Sequence, residues 1–153
     1  MDGSHLPNDV LDRRDLREVK GAPQTFDSIG FVTAVRRLRQ SSEAVRLPDF
    51  DRDLDEPRPD RVTVTPDDAI VVVEGNYLLL DESPWSELRD LFDAVAHLDV
   101  DPDVRVGRLV DRHVRFGRSR EDATDFVHRS DEPNAALVEA VRSRADFVVD
   151  TDA

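Results

Sequence analysis

Apolar side chains recur at helical spacing near the start of the chain. Four apolar residues at positions i, i+1, i+4 and i+7 predict a helix: Phe31, Val32, Val35 and Leu38. Asp27 and Ser28 can cap this helix, which we expect to run to about Gln40. A shorter helix is predicted upstream, where Asn8 or Asp9 can act as the cap.

The next part of the chain has the spacing of strands. Residues 45–47 predict a short strand, and the alternation at Val62 and Val64 predicts a half-exposed one. Residues 48–61 between them are rich in Pro and Asp, which predicts a polar loop insertion. Residues 69–73 form a continuous, largely β-branched run, which is typical of a strand covered on both faces in a parallel sheet.

Strands and helices alternate through the second half of the chain. The predicted elements are a helix from Ser83, a strand over 94–100, a helix from Asp101 to Gly117, helices from Ser119 and Ser130, and a strand over 145–149. This alternation is the pattern of βαβ units. We therefore predict a single α/β domain over residues 1–153.

Charge excludes several kinds of partner. The chain has 153 residues with 34 acidic and 21 basic side chains, a formal net charge of −13. This balance argues against binding to nucleic acid or to an anionic membrane. No apolar window is long enough to span a bilayer, no signal peptide is present, and there is no Cys, so we expect a cytoplasmic protein without disulfides. Asp outnumbers Glu and Arg outnumbers Lys, which fits a halophilic host and a GC-rich genome equally well.

Two positions stand out for their chemistry. The chain uses 20 Arg but one Lys, Lys20, which either provides a compact ammonium charge or is a chance leftover. Glu74 ends the apolar run, and in a parallel sheet it would place a carboxylate at the edge where ligands bind. A surface salt bridge is the alternative for Glu74. Gly75 then allows a sharp turn or a close approach.

An arginine series offers a further candidate site. Spacings of three and four place most of its members on one helical face: Arg105, Arg108, Arg112, Arg115 and Arg118. Such a face can bind phosphates, or it can be a solvated face paired with nearby carboxylates. Residues 49–60 imitate a calcium loop but lack its Gly and Glu, and the four His have no zinc spacing, so no metal site of either kind is expected.

In order and spacing, seven segments resemble the nucleoside/nucleotide kinase family of P-loop proteins. The family includes uridine-kinase-like, pantothenate-kinase-like and bacterial fructose-kinase-like enzymes. The segments are MDGSHLPND, KGAPQTFD, LPDFDRDLDEP, VVVEGNYLLLD, WSELRDLFD, LDVDPDVRVGRLVDRHVRFGRS and SDEPNAALV. Together they cover nearly the whole chain. The resemblance implies a P-loop NTPase fold, a three-layer α/β/α arrangement with a parallel sheet.

The resemblance also implies a reaction and its residues. The family transfers the γ-phosphoryl group of ATP, with Mg²⁺, to a hydroxyl of a small molecule such as a sugar, a nucleoside or a pantothenate-like compound. Asp2 would accept the proton of the attacking hydroxyl, and Glu74 would lie near Mg²⁺, directly or through water. The acceptor would be bound by His5, Lys20, Asp27, Asn76 and Tyr77. Residues 105–130 or so would form a lid whose Arg108, Arg112 and Arg118 stabilise the phosphates.

The chain departs from the family pattern in two places. Ser4 stands where the family usually has an aromatic residue, which should loosen the acceptor pocket. No G-x-x-x-x-G-K-[ST] motif occurs among the 153 residues, so we expect that the first strand, the phosphate loop and the first helix are absent and that this chain alone is inactive. Two hypotheses stay open: a kinase whose reading frame extends upstream, and a non-catalytic ligand-binding or regulatory remnant. The sequence leaves open whether the chain forms a homo-oligomer.

Overall fold

The computed structural model describes residues 1–151. The sequence predicts one domain, whereas the contacts divide the chain into two compact units, with the boundary in sequence between Phe92 and Asp93. The first unit holds two helices and an antiparallel hairpin, and the second holds a parallel strand pair with three α-helices. None of the helices formed by residues 1–151 has the length and apolar character that a membrane span requires.

Two helices of the first unit lie where the apolar spacing predicts them. Helix α1 spans Asn8–Arg13 and helix α2 spans Ser28–Gln40. Asp27 caps α2, because its Oδ1 accepts the Gly30 N–H at 2.9 Å. The predicted side-chain cap of α1 is wrong: the helix begins after Pro7 without a capping bond, and the Asn8 amide donates to a distant carbonyl instead.

The segment predicted as a polar loop, residues 48–61, is mostly a β-hairpin. Strand β1 spans Val45–Asp51 and pairs antiparallel with strand β2, Glu56–Val64. The ladder is interrupted between Leu47 and Asp49. The prediction was wrong because Pro and Asp break a central strand but are tolerated in an exposed two-stranded ribbon, where irregular positions need no ladder bond.

The β-branched run after the hairpin does not form the predicted buried strand. Residues 70–75 belong to no strand, and no ladder in the described part of the chain pairs with them. Ile70 and Val72 are 83% and 84% exposed. A strand needs a hydrogen-bonded neighbour as well as an apolar sequence, and the described residues offer none here.

Buried side chains of the first unit come from several separate segments. They include Leu11, Phe26, Phe31, Val32, Val35, Val45, Tyr77, Leu78, Leu79, Leu80, Trp85 and Leu88. Trp85 contacts Phe26 and Phe31, with ring centroids 6.3 and 6.0 Å apart. The helix predicted from Ser83 is instead a pair of 3₁₀ turns, Trp85–Glu87 and Arg89–Leu91, which still bury Trp85 and Leu88.

The second unit has the predicted alternation of strands and helices. Its elements are β3 (Ala96–Asp99), α3 (Pro102–Arg115), α4 (Arg120–Phe126), α5 (Glu132–Ala140) and β4 (Phe147–Asp150). Strands β3 and β4 pair in parallel, as predicted. The chain between α4 and α5 is a π-helical turn, Val127–Asp131, so these two helices follow each other without a loop.

Local capping explains why the boundaries of α3 and α4 were predictable. Asp101 accepts the N–H groups of Asp103 and Val104, and Ser119 accepts that of Asp122. The core between these helices consists of Val110, Ala123 and Val127, with Val106, Leu109 and Val114 packed against it. The apolar face of the strand pair stays open, since Leu98 and Phe147 are more than half exposed.

Candidate functional site

The first two family-like segments lie side by side in the first unit. The Leu6 N–H donates to the Thr25 carbonyl, and the Asp27 N–H donates to the Ser4 carbonyl, both at 2.8 Å. His5 and Phe26 form an antiparallel bridge between these bonds. The backbone therefore holds Asp2 and His5 of one segment close to the start of α2 in the other.

Asp2 lies in a 3₁₀ turn, Asp2–Ser4, packed against the hairpin. Gly3 is required there, because a Cβ at this position would collide with the backbone carbonyl of Pro48 in β1. The Asp2 carboxylate is partly exposed, and its Oδ2 lies 3.4 Å from Nη2 of Arg52, beyond the end of β1. The site thus offers an accessible carboxylate with one loosely held cation beside it.

His5 is held between two aromatic rings. Its ring centroid lies 3.9 Å from that of Phe26 and 5.2 Å from that of Phe50. The Nδ1 atom lies 2.7 Å from the Asp2 carbonyl oxygen, and because a carbonyl only accepts, Nδ1 carries the hydrogen. Burial lowers the pKa of His5 below its ordinary 6.5, so the ring is neutral near pH 7 and Nε2 is a hydrogen-bond acceptor.

Lys20 binds the turn of the hairpin. Its Nζ donates to Oδ1 of Asn8 at 2.8 Å, and to the carbonyl and Oδ2 of Asp55 at 2.6 and 2.8 Å. The same ammonium lies 5.0 Å from the centroid of the Phe50 ring. The side chain is only 13% exposed, so the one lysine of the chain is largely enclosed by these groups.

The remaining acceptor-side candidates differ in exposure. Asp27 is exposed and caps α2. Asn76 is exposed, whereas Tyr77 is fully buried and its hydroxyl donates to the Gly21 carbonyl at 2.5 Å. Tyr77 contacts Phe26, which in turn contacts His5. Tyr77 therefore lies beneath the aromatic groups that hold His5.

Glu74 lies at the same end of the first unit as Asp2. The Met1 amine donates to the Glu74 carbonyl at 2.8 Å and to its Oε1 at 2.9 Å. The Glu74 side chain is 80% exposed. Mg²⁺ prefers oxygen ligands such as carboxylates, so the Glu74 side chain is suited to the Mg²⁺ that the sequence resemblance implies. The described residues form no glycine-rich phosphate loop, so they supply only part of a nucleotide site.

The candidate lid residues lie in the second unit. Arg108 and Arg112 are exposed on α3, and Arg118 follows this helix. The Arg118 guanidinium stacks on the Phe126 ring, 3.9 Å from its centroid. Exposed guanidinium groups on one helix are suited to binding phosphate oxygens.

One cluster of the second unit has the ligand atoms of a metal site but is already bound by an arginine. His97, Asp99 and Glu139 bring ligand atoms within 4.8 Å of one another. Arg142 donates to Asp99 at 2.6 Å and to Glu139 at 3.3 Å. The guanidinium therefore occupies the position that a metal cation would take, and we interpret the cluster as a salt-bridge network.

Residues of the hairpin were missed as candidates. Phe50, Arg52 and Asp55 contact His5, Asp2 and Lys20 respectively. They belong to the segment LPDFDRDLDEP, whose resemblance to the family could have identified them. Because residues 48–61 were interpreted as a loop, these three residues were not predicted to lie near the site.

Comparisons with known proteins show which chains this one is similar to. A protein from Schizosaccharomyces pombe, provisionally named as a uridine kinase, is 35% identical over 97% of this chain and 66% of its own length. A protein from Aspergillus versicolor, named ATP-dependent kinase-like protein notR', is 36% identical over 86% of each chain. The chain thus spans just under two thirds of the length of the fission-yeast relative.

A solved structure has the same fold. It is provisionally described as a fructose transport system kinase from Silicibacter sp. TM1040, with a TM-score of 0.91, 36% identity, and coverage of 97% of this chain and 72% of that one. The fold is therefore that of the P-loop kinases. The model of the phosphoribulokinase and uridine kinase family matches residues 19–152. On these grounds the chain belongs to the phosphoribulokinase/uridine kinase family.

Proposed function

We propose that the protein takes part in ATP-dependent phosphorylation of a hydroxyl group on a small molecule, with Asp2 as the general base. The observation that carries the proposal is the convergence of Asp2, His5 and the hairpin residue Arg52 at one end of the first unit. A sugar, a nucleoside and a pantothenate-like compound are the candidate acceptors. The names of the relatives as kinases support the reaction class.

The residues of the site have separate tasks in this proposal. The exposed Asp2 carboxylate removes the proton of the acceptor hydroxyl. The neutral His5 ring accepts a hydrogen bond from a second hydroxyl, since its Nδ1 is already engaged. Glu74 would hold Mg²⁺, which when bound neutralises charge on the phosphates. Asp27 and Asn76 bind the acceptor, and Arg108, Arg112 and Arg118 bind phosphate oxygens.

Because the sequence contains no phosphate-loop motif, the proposal is tested by comparing the 153-residue chain with a form extended upstream. We expect the 153-residue chain to release little or no ADP with any acceptor. Its sequence contains no G-x-x-x-x-G-K-[ST] motif, which supplies the backbone cradle and the lysine that hold the β- and γ-phosphates. An in-frame upstream extension that encodes such a loop should restore turnover. A coupled ADP-release assay with sugars, nucleosides and pantothenate measures both forms.

The extended form also tests the role of Asp2. Asp2→Asn should lower kcat about 10²–10⁴-fold, the usual contribution of a general base. Asp9→Asn, at an exposed position of α1, is the matched control and should leave kcat unchanged. An Asp2→Asn rate close to the unmodified one would remove Asp2 from the mechanism.

A non-catalytic remnant is the second candidate. Two observations favour it. The two segments that carry the acceptor-side residues pair through the His5–Phe26 bridge, and the sequence contains no phosphate-loop motif. This candidate predicts that an acceptor raises the thermal midpoint of the 153-residue chain without any phosphorylated product. A stop codon upstream, in frame, before any glycine-rich loop would favour it over the kinase. Phosphorylated product from the 153-residue chain would refute it.

A further inference from the structure

The hairpin turn is tied to the rest of the first unit by several polar contacts. Besides the three bonds from Lys20, the Asn8 amide donates to the Asp55 carbonyl at 2.8 Å. The Asn8 N–H lies 3.1 and 3.3 Å from the two carboxylate oxygens of Glu56. We call the group Asn8, Lys20 and Asp55 the hairpin latch.

The latch lies beside the candidate acceptor site. Asp55 directly precedes β2, and Phe50 and Arg52 lie on the other side of the same turn. Phe50 covers the His5 ring, and Arg52 approaches Asp2. Strand β1 is mostly half-buried, but β2 is mostly exposed, so the position of the β2 side of the turn depends on the contacts that hold its end.

We propose that Lys20 is a positioning residue whose ammonium fastens the hairpin turn to α1 and thereby holds Phe50 over His5 and Arg52 beside Asp2. Lys20 acts through the hairpin rather than by touching the acceptor, because its donors are already used by Asn8 and Asp55. The inference rests on the proposed function only in taking Asp2 and His5 as residues of the acceptor site.

The choice of lysine at this position has a geometric reason. The three acceptors surround one point, and an ammonium has three donors on a single nitrogen. A guanidinium spreads its donors over a planar fork and does not match that arrangement. This explains why a chain with 20 Arg keeps one Lys here.

The test compares Lys20→Arg and Asp55→Asn in the 153-residue chain, without any substrate. The first measurement is hydrogen exchange of a peptide that covers residues 50–56. We expect exchange about ten- to a hundredfold faster in both variants, the range that loss of charge-assisted hydrogen bonds gives. Arg17→Met is the matched control: Arg17 lies 3.8 Å from the same carboxylate without a hydrogen bond, and its loss should leave exchange unchanged.

The second measurement is the pKa of His5, followed by NMR and assigned with a His5→Gln variant. Three charged groups act on His5: Asp2 and Asp55 raise its pKa, and Lys20 lowers it. Burial is the largest influence and lowers the pKa. If the hairpin opens, Asp55→Asn raises the pKa toward 6.5 because burial is lost. If the hairpin stays in place, the same variant lowers the pKa because a negative charge is lost.

Lys20→Arg completes the comparison because it keeps the charge. A rise of the His5 pKa in this variant supports the latch, and an unchanged pKa with unchanged exchange overturns it. Asn8→Ala loosens the latch without removing a charge, so it serves if either charged variant fails to fold. Exchange in helix α2 of the same unit reports whether the fold is intact.

Failure of the proposed function would look different. If the proposed function is wrong, the extended form transfers no phosphoryl group. The exchange and NMR measurements test the latch independently, because they require no turnover. Conversely, an extended form in which Lys20→Arg abolishes activity without disturbing the hairpin would make Lys20 a direct acceptor ligand and overturn the positioning role.

Discussion

At the scale of single residues, His5 links the fold of the first unit to the chemistry of the site. Its ring is packed between Phe26 and Phe50, and its Nδ1 donates to the Asp2 carbonyl. A charged imidazolium is unfavourable in this place because burial removes it from water. The contacts that orient His5 in the proposed acceptor site therefore make its protonation costly.

This cost predicts a pH dependence of stability. Burial lowers the pKa of His5 in the folded chain, so the unfolded chain binds more protons as the pH falls. The contribution of His5 is complete above pH 6.5, the ordinary value, and is lost as the pH falls below 6.5 through the folded-state pKa. Urea unfolding followed by Trp85 fluorescence, at several values between about pH 8 and pH 5, measures it.

The control for this prediction is His5→Gln. This variant should unfold more easily at neutral pH but lose less stability on acidification than the unmodified chain. The difference between the two curves isolates His5 from the other three histidines. Parallel curves would contradict the prediction.

At the scale of elements, helix α2 shows how a local bond can set a boundary. The Asp27 carboxylate accepts the Gly30 N–H, and the helix begins at the next residue, Ser28. The proposed function also gives Asp27 an acceptor-binding role. The two roles need different properties of the side chain, since a cap needs an acceptor oxygen and an acceptor site can need a negative charge.

Substitution of Asp27 separates these roles. Asp27→Ala should lower the free energy of unfolding by about 1 kcal/mol, because the cap is lost. Asp27→Asn should lower it by only a few tenths, about the spread between good capping residues. Trp85 fluorescence during urea unfolding reports on α2, because Trp85 contacts Phe31 of this helix. A loss of acceptor binding in Asp27→Asn without a loss of stability would assign the charge to the site.

The same distinction between local and distant contacts explains which elements could be predicted. Helices α2, α3 and α4 were found because Asp27, Asp101 and Ser119 cap them through neighbouring residues. The hairpin was missed because its strands pair across the chain, where Pro and Asp mislead a local interpretation. The run at 69–73 was misplaced because its composition says nothing about whether a partner strand is present.

The candidate site divides in the same way. Asp2, His5 and Glu74 were suggested by family-like segments, since these short motifs keep their order and spacing. The role of Lys20 was left open, because its partners Asn8 and Asp55 lie 12 and 35 residues away. The sequence showed that a lysine is unusual in this chain, but only the contacts of Lys20 with the folded hairpin explain why a lysine is present there.

At the scale of the whole molecule, the chain exposes apolar strand-forming residues in both units. Ile70 and Val72 project from an unpaired segment of the first, and Leu98 and Phe147 from the parallel strand pair of the second. Unpaired backbone next to β-branched side chains can pair with another copy of the same segment. The net charge of −13 opposes such association, and salt weakens this opposition.

We therefore expect the 153-residue chain to self-associate as ionic strength rises, through the segment that contains Val72. Val72→Asp should reduce the associated fraction in sedimentation velocity, because it places a charge on an unpaired edge. Ile29→Asp is the matched control: Ile29 is 71% exposed but lies in helix α2 and not in an extended segment. An equal effect of the two substitutions would mean that exposed apolar area alone drives association, whereas a larger effect at Val72 assigns it to the unpaired segment.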